Sequence, residues 1–117
     1  DLNPSWAWAA GAVVSTAGDL VTYVQRLVGG GLLSDDLQRQ RMESLRPTRD
    51  PGSAEYGLAL AKFGPMYGHD GSLPGFQSFM GPDPAPGTTL VVLTNLTAAP
   101  DGTETANELA KAIIPML

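Results

Sequence analysis

The chain contains no cysteine, one histidine, and 7 Lys and Arg against 12 Asp and Glu in 117 residues. The missing thiols exclude a disulfide framework, thiolate-bound zinc and a cysteine nucleophile together. The few basic residues are scattered, so the electrostatic stripe that nucleic-acid binding needs is absent. A formal net charge of -5 also disfavours an anionic membrane surface as a partner. The longest apolar runs, "TLVVLTNL" and "LAKAIIPML", fall far short of the roughly 20 residues a spanning helix needs, and no transmembrane segment is expected. The opening "DLNPSWAWAAGAVV" has neither a basic n-region nor an initiator methionine, and is read as the start of a fragment or a processed chain.

What is present suits a small folded unit. Hydrophobic residues make up 43% and charged residues 16%, too apolar a balance for disorder, and the length allows one small domain or part of a larger one. "STAGDLVTYVQRLVGGG" carries Leu20, Val24, Leu27 and Val28 on one face at helical spacing, with Val21 and Tyr23 widening the stripe. Ser15 or Thr16 can cap this helix, Asp19 complements its dipole, and Gly29 to Gly31 end it. "LLSDDLQRQRMESL" predicts a shorter helix capped by Ser34, with Leu37, Met42 and Leu45 as a thin apolar edge and Arg39, Arg41 and Glu43 on a solvated face. "RPTRDPGS" is expected to break regular structure.

From Tyr56 the period changes. "YGLALAKF", "MYGHDGS", "FQSFM" and "TTLVVLTNL" predict four strands bounded by Gly and Pro, with "GPDPAPG" as a hairpin loop. "TETANELAKAIIPML" predicts a closing helix, with Ala106, Leu109, Ala110, Ile113 and Ile114 on one face and an Asp101 to Glu104 capping box. Hairpin-length connections imply an antiparallel sheet, and the last helix must cover one of its faces. The fold class is therefore α+β.

The lone histidine lies in "YGHDGSLPGF". In an extended chain, His69 and Gly71 face one way while Asp70 and Ser72 face the other. A local Ser/His/Asp triad is thereby excluded, because its members must lie within hydrogen-bond reach of one another. No second histidine and no tight carboxylate cluster accompanies His69, so no metal site and no cofactor are expected. Gly68, Gly71 and Gly75 remove side chains where a ligand or another backbone can approach. Elsewhere, Lys62 reads as a solvated strand residue, Asn95 as a turn residue, and Phe76 and Phe79 as core or site rim. Trp6 and Trp8 read as packing residues for the rest of the fold.

In order, "AAGAVVSTAGDLVTYVQRLVGGGLLS", "YGLAL", "YGHDGSLPGFQSF" and "LVVLTN" with a closing helix resemble the C-terminal part of the serine β-lactamase-like superfamily. That group includes class C β-lactamases, D-alanyl-D-alanine carboxypeptidases and esterases. Its members carry Ser-x-x-Lys, Tyr-x-Asn and a strand-borne third triplet, Lys-Thr-Gly or His-x-Gly. His69, Asp70 and Gly71 match the third. The resemblance implies that His69 lines the site and aids proton movement, Gly71 leaves room for the acyl group, and the Ser72 backbone N–H is one of two oxyanion-hole donors. Members that bind a substrate carboxylate have Thr or Ser where Asp70 stands. An aspartate facing the substrate would tilt the preference toward neutral or cationic esters and amides.

The first two motifs do not occur in these residues. The chain is therefore expected to be the last third of such a hydrolase and to be catalytically silent alone. Residues 1–50 would be the tail of the helical lobe, and 51–117 the strands and last helix of the α/β lobe. The partners implied are a small-molecule or peptide substrate in the complete protein, and a companion chain or a second copy completing the sheet. Export from the cytoplasm follows from family habit alone. The alternative is a non-catalytic binding module that keeps the fold without the chemistry.

Overall fold

A computed structural model describes residues 3–49, 54–85 and 87–117. In chain order the elements are α1 (Ala17–Gly29), α2 (Asp35–Glu43), β1 (Arg46–Pro47), β2 (Glu55–Tyr56), β3 (Ala61–Phe63), β4 (Met66–Leu73), β5 (Phe76–Asp83), β6 (Thr88–Thr94) and α3 (Thr105–Ile113). Short 3-10 segments precede α1 and follow α3. The strands form one sheet in the order β1-β2-β3-β4-β5-β6, with every neighbouring pair antiparallel. This is the α+β arrangement expected.

Two strand expectations need correction. "YGLALAKF" is not one strand: Ala59 takes φ +51 and the Gly57 N–H donates to the Leu60 carbonyl at 2.8 Å, folding the segment back between β2 and β3. Arg46–Pro47, in a stretch expected to be irregular, pairs with β2 as a two-residue edge strand. Arg49 ends the first described stretch, and the rest of the expected break, Asp50 to Ser53, lies outside the described residues.

The helix ends follow local chemistry. The Thr16 hydroxyl accepts from Asp19 N–H at 3.2 Å and donates to the Asp19 carboxylate at 2.9 Å, capping α1, and Gly30 at φ +99 ends it. Ser34 caps α2 by accepting from Leu37 N–H. α3 departs from expectation. Asp101 bonds Thr103, which holds its carboxyl below the usual carboxylate range, and Glu104 makes no side-chain cap. The cap comes instead from β5: buried Gln77 accepts from Ala106 N–H at 2.6 Å and from Asn107 N–H at 3.4 Å. A net gain of about 1 kcal/mol per such bond ties the helix start to the sheet.

The sheet is covered on both faces. On one, Met66 and Phe79 pack with Ala106 and Ala110 of α3, with Phe63 edge-on to Phe79 at 5.1 Å. The expected α3 stripe is thus carried by its alanines, which let the helix lie close to the strands, while Leu109 is half exposed. On the other face, Val24 and Leu27 of α1 pack with Leu60, Tyr67 and Met80, and Met42 and Leu45 add to the cluster. Fully burying side chains of this size stabilises by about 1.5–3 kcal/mol each. α1 therefore shares a core with the sheet. Of the α2 charges, Arg39 pairs with Asp36 and Glu43 in the open, whereas Arg41 is partly buried with its Nη1 enclosed.

Candidate active site

β4 carries the histidine segment as a continuous strand, Met66 to Leu73. Its first half pairs with β3, through Met66, Tyr67 and Gly68. Among the described residues its second half, His69 to Leu73, pairs with β5 alone. The turn to β5 is Pro74–Gly75, with Gly75 at φ +87, the type II arrangement that needs glycine at its third position. Thr97 pins it, donating to the Leu73 carbonyl at 2.7 Å and accepting from Gly75 N–H at 2.6 Å.

In a two-residue hairpin the pair closing the turn, here Leu73 with Phe76, exchanges ladder hydrogen bonds, and bonded pairs then alternate along the strand. Gly71 and His69 accordingly spend their backbone groups on β5. Asp70 and Ser72 turn theirs to the opposite edge, where β3 has already ended. The Ser72 N–H thus projects from an open strand edge three residues after His69.

The side chains split across the strand. His69, opposite Met80, lies on the α1 side, where its Nε2 is 2.7 Å from the Tyr56 hydroxyl and its Nδ1 meets the Asp70 carbonyl. The two rings are edge to face at 5.5 Å. Asp70, opposite Phe79, lies on the α3 side, where its carboxylate accepts from Asn107 Nδ2 at 2.8 Å. The structure thus brings His69 and Gly71 to one face and does not bring Asp70 to it. Ser72 is exposed, and its side chain shares the Asp70 face.

Gly68 has a different task. A Cβ there would stand 1.9 Å from the Met80 carbonyl oxygen and 2.8 Å from Gly81 Cα, so the crossing of β4 over β5 just before His69 needs glycine. At Gly71 the nearest atom to an added Cβ is the Ser78 hydroxyl at 2.9 Å.

Tyr56 was not singled out from the sequence as a partner of His69. Thirteen residues separate them, and the contact arises because Tyr56 pairs with Ala61 and Ala61 with Gly68. The same turn carries Leu58 and Ala59, which with Leu33, Leu37, Gln40 and Arg41 line a largely apolar cleft of about 390 Å³. Among the described residues no group of three or more His, Asp or Glu could hold a metal, and no helix is long and apolar enough to cross a membrane. Lys62 lies over the Tyr67 ring at 5.4 Å, and Trp6 and Trp8 are exposed on the 3-10 segment.

An antiparallel sheet between helices, with a His-x-Gly strand open along one edge, is the architecture of a serine β-lactamase-like protein. The Beta-lactamase family profile matches residues 1–113, and the chain belongs to that family. Among solved structures it is similar to the D-amino acid amidase from Ochrobactrum anthropi SV3. The complex with D-phenylalanine aligns at TM-score 0.79 and 30% identity, over 97% of this chain and 40% of that one. The complex with L-phenylalanine amide aligns at TM-score 0.79 and 28% identity, over 97% of this chain and 36% of that one. The chain therefore spans well under half the length of these neighbours. No curated protein matches it.

Proposed function

We propose that this chain supplies the His-x-Gly strand and one oxyanion-hole amide of a serine hydrolase that works through an acyl-enzyme, with amino-acid amides as its substrate class. The observation that carries the reading is the open edge of β4, where the Ser72 N–H is turned away from β5 three residues after His69. The nucleophilic serine and the Tyr-x-Asn tyrosine would come from outside these 117 residues. An N–H held at the developing oxyanion lowers the barrier by about 3–4 kcal/mol. Beside it His69 would accept and return the proton, and Gly71 would leave room for the acyl group.

The substrate class rests on the neighbour's ligands. The amidase neighbour was crystallised with L-phenylalanine amide and with D-phenylalanine, an amino-acid amide and a free amino acid, the class of product that amide hydrolysis releases. Asp70, the triplet's middle residue, is bonded to Asn107 on the far face and is turned from the site, so the choice of substrate does not rest on its charge.

The test is intact-mass analysis of the full-length polypeptide after exposure to a fluorophosphonate. The expected result is one covalent adduct, mapped by peptide digestion to a serine outside residues 1–117. No adduct, or an adduct on Ser72, contradicts the reading. Ligand binding without any adduct would favour the second reading, a binding module of the same fold.

A further inference from the structure

We infer that Asn107 of α3 is a positioning residue for the open edge of β4: through Asp70 it holds the strand from its far face, so that the Ser72 N–H keeps its place. The inference deepens the hydrolase reading above and rests on it for its kinetic consequence, though not for its structural one.

The edge needs such a hold. Among the described residues His69 to Leu73 pair with one strand only, and Gly71 and Ser72 are exposed. A segment with so few contacts opens readily, whereas a donor that serves a transition state must stay within about 0.5 Å of its working position. Two side-chain bonds bracket Ser72. After it, Thr97 grips the turn at Leu73 and Gly75. Before it, the Asp70 carboxylate accepts from Asn107 Nδ2 at 2.8 Å.

The orientation of the Asn107 amide follows from its partners. Nδ2 also donates to the Glu104 carboxylate at 2.8 Å, so both of its hydrogens go to carboxylates. Turned over, the amide would set its oxygen against two acceptors, and only one orientation survives. That orientation leaves Oδ1 buried with no partner among the described residues. An unpaired buried oxygen costs stability and alanine favours a helix more, so α3 itself does not call for asparagine here. What the side chain supplies is the bond to Asp70.

Asn107 is in turn tied to the hairpin. Its backbone N–H donates to Gln77 Oε1 at 3.4 Å, and Gln77 is the cross-strand partner of Ser72. The residue therefore spans both strands at the level of the Ser72 amide. Its backbone meets β5 opposite Ser72, and its side chain meets β4 two positions before it.

The experiment measures the orientation of the Ser72 N–H in the full-length polypeptide by one-bond residual dipolar coupling. Loss of a signal in Ser72→Ala assigns the amide. Asn107→Ala and Asp70→Ala remove opposite ends of the same bond. In each, the Ser72 coupling is expected to change while those of α1 stay fixed, with the circular dichroism spectrum unchanged. With a chromogenic amide, each should lower kcat about tenfold to a hundredfold at constant KM, the pattern of a misplaced group that acts in the transition state. The double variant should lose no more than the worse single one. An unchanged Ser72 coupling in both single variants overturns the inference, whatever happens to kcat, and so do losses that add in the double variant. A changed coupling together with normal turnover in His69→Gln upholds the positioning and overturns the hydrolase reading.

Discussion

Gly68→Ala is expected to destabilise the fold by at least about 3 kcal/mol, because overpacking against backbone has no soft outlet. The added Cβ would sit 1.9 Å from the Met80 carbonyl oxygen and 2.8 Å from Gly81 Cα. Neither atom ends a flexible side chain, so relief requires β4 and β5 to part where they enter the site. The glycine is demanded by close approach, since its φ is not in the left-handed region. Gly29→Ala is the matched control. It lies in the last turn of α1 with nothing within 4 Å of an added Cβ, and should stabilise by about 0.5–1 kcal/mol. Urea denaturation followed by circular dichroism measures both. A Gly68→Ala protein within about 1 kcal/mol of the parent would show that the two strands do not approach as described.

His69→Gln should reduce the turnover of the full-length polypeptide about 10²–10⁴-fold, the usual contribution of a positioned acid–base group. Glutamine keeps similar length and can still bond the Tyr56 hydroxyl, so the strand and its neighbours should stay in place. What it lacks is a ring nitrogen that can take and return a proton. The loss should therefore appear equally in kcat and kcat/KM, the pattern of an interaction made only in the transition state. A chromogenic ester or amide provides the assay, and kcat within a few-fold of the parent would remove His69 from the chemistry.

The elements most legible in the sequence were those whose signals are local. α1 follows from its 3.6-residue stripe and the Thr16 and Gly30 punctuation, and the alternation of β4 separates His69 from Asp70 across the strand. What stayed hidden depends on partners distant in the chain. Gln77 caps α3 from 29 residues away, a role no helix-start signal encodes. Tyr56 reaches His69 only through the register of β2, β3 and β4. Leu109 looked like core by spacing, but α3 approaches the sheet through Ala106 and Ala110, and this leaves the larger side chain at the margin. Arg41 looked solvated within a charge-laced helix, yet packing of α2 beside the β2–β3 turn encloses one of its nitrogens. The open edge of β4 was approachable from the family triplet, but its cause, the start of β3 only at Ala61 after the β2–β3 turn, is a property of pairing.

The most direct test is a structure of the full-length polypeptide bound to a boronic acid that forms a tetrahedral adduct with the nucleophile. The account predicts one boronate oxygen about 2.7–3.1 Å from the Ser72 backbone nitrogen, on the edge of β4 that faces away from β5. An adduct whose oxygens are all held by other groups, with the Ser72 N–H left to solvent, would contradict it.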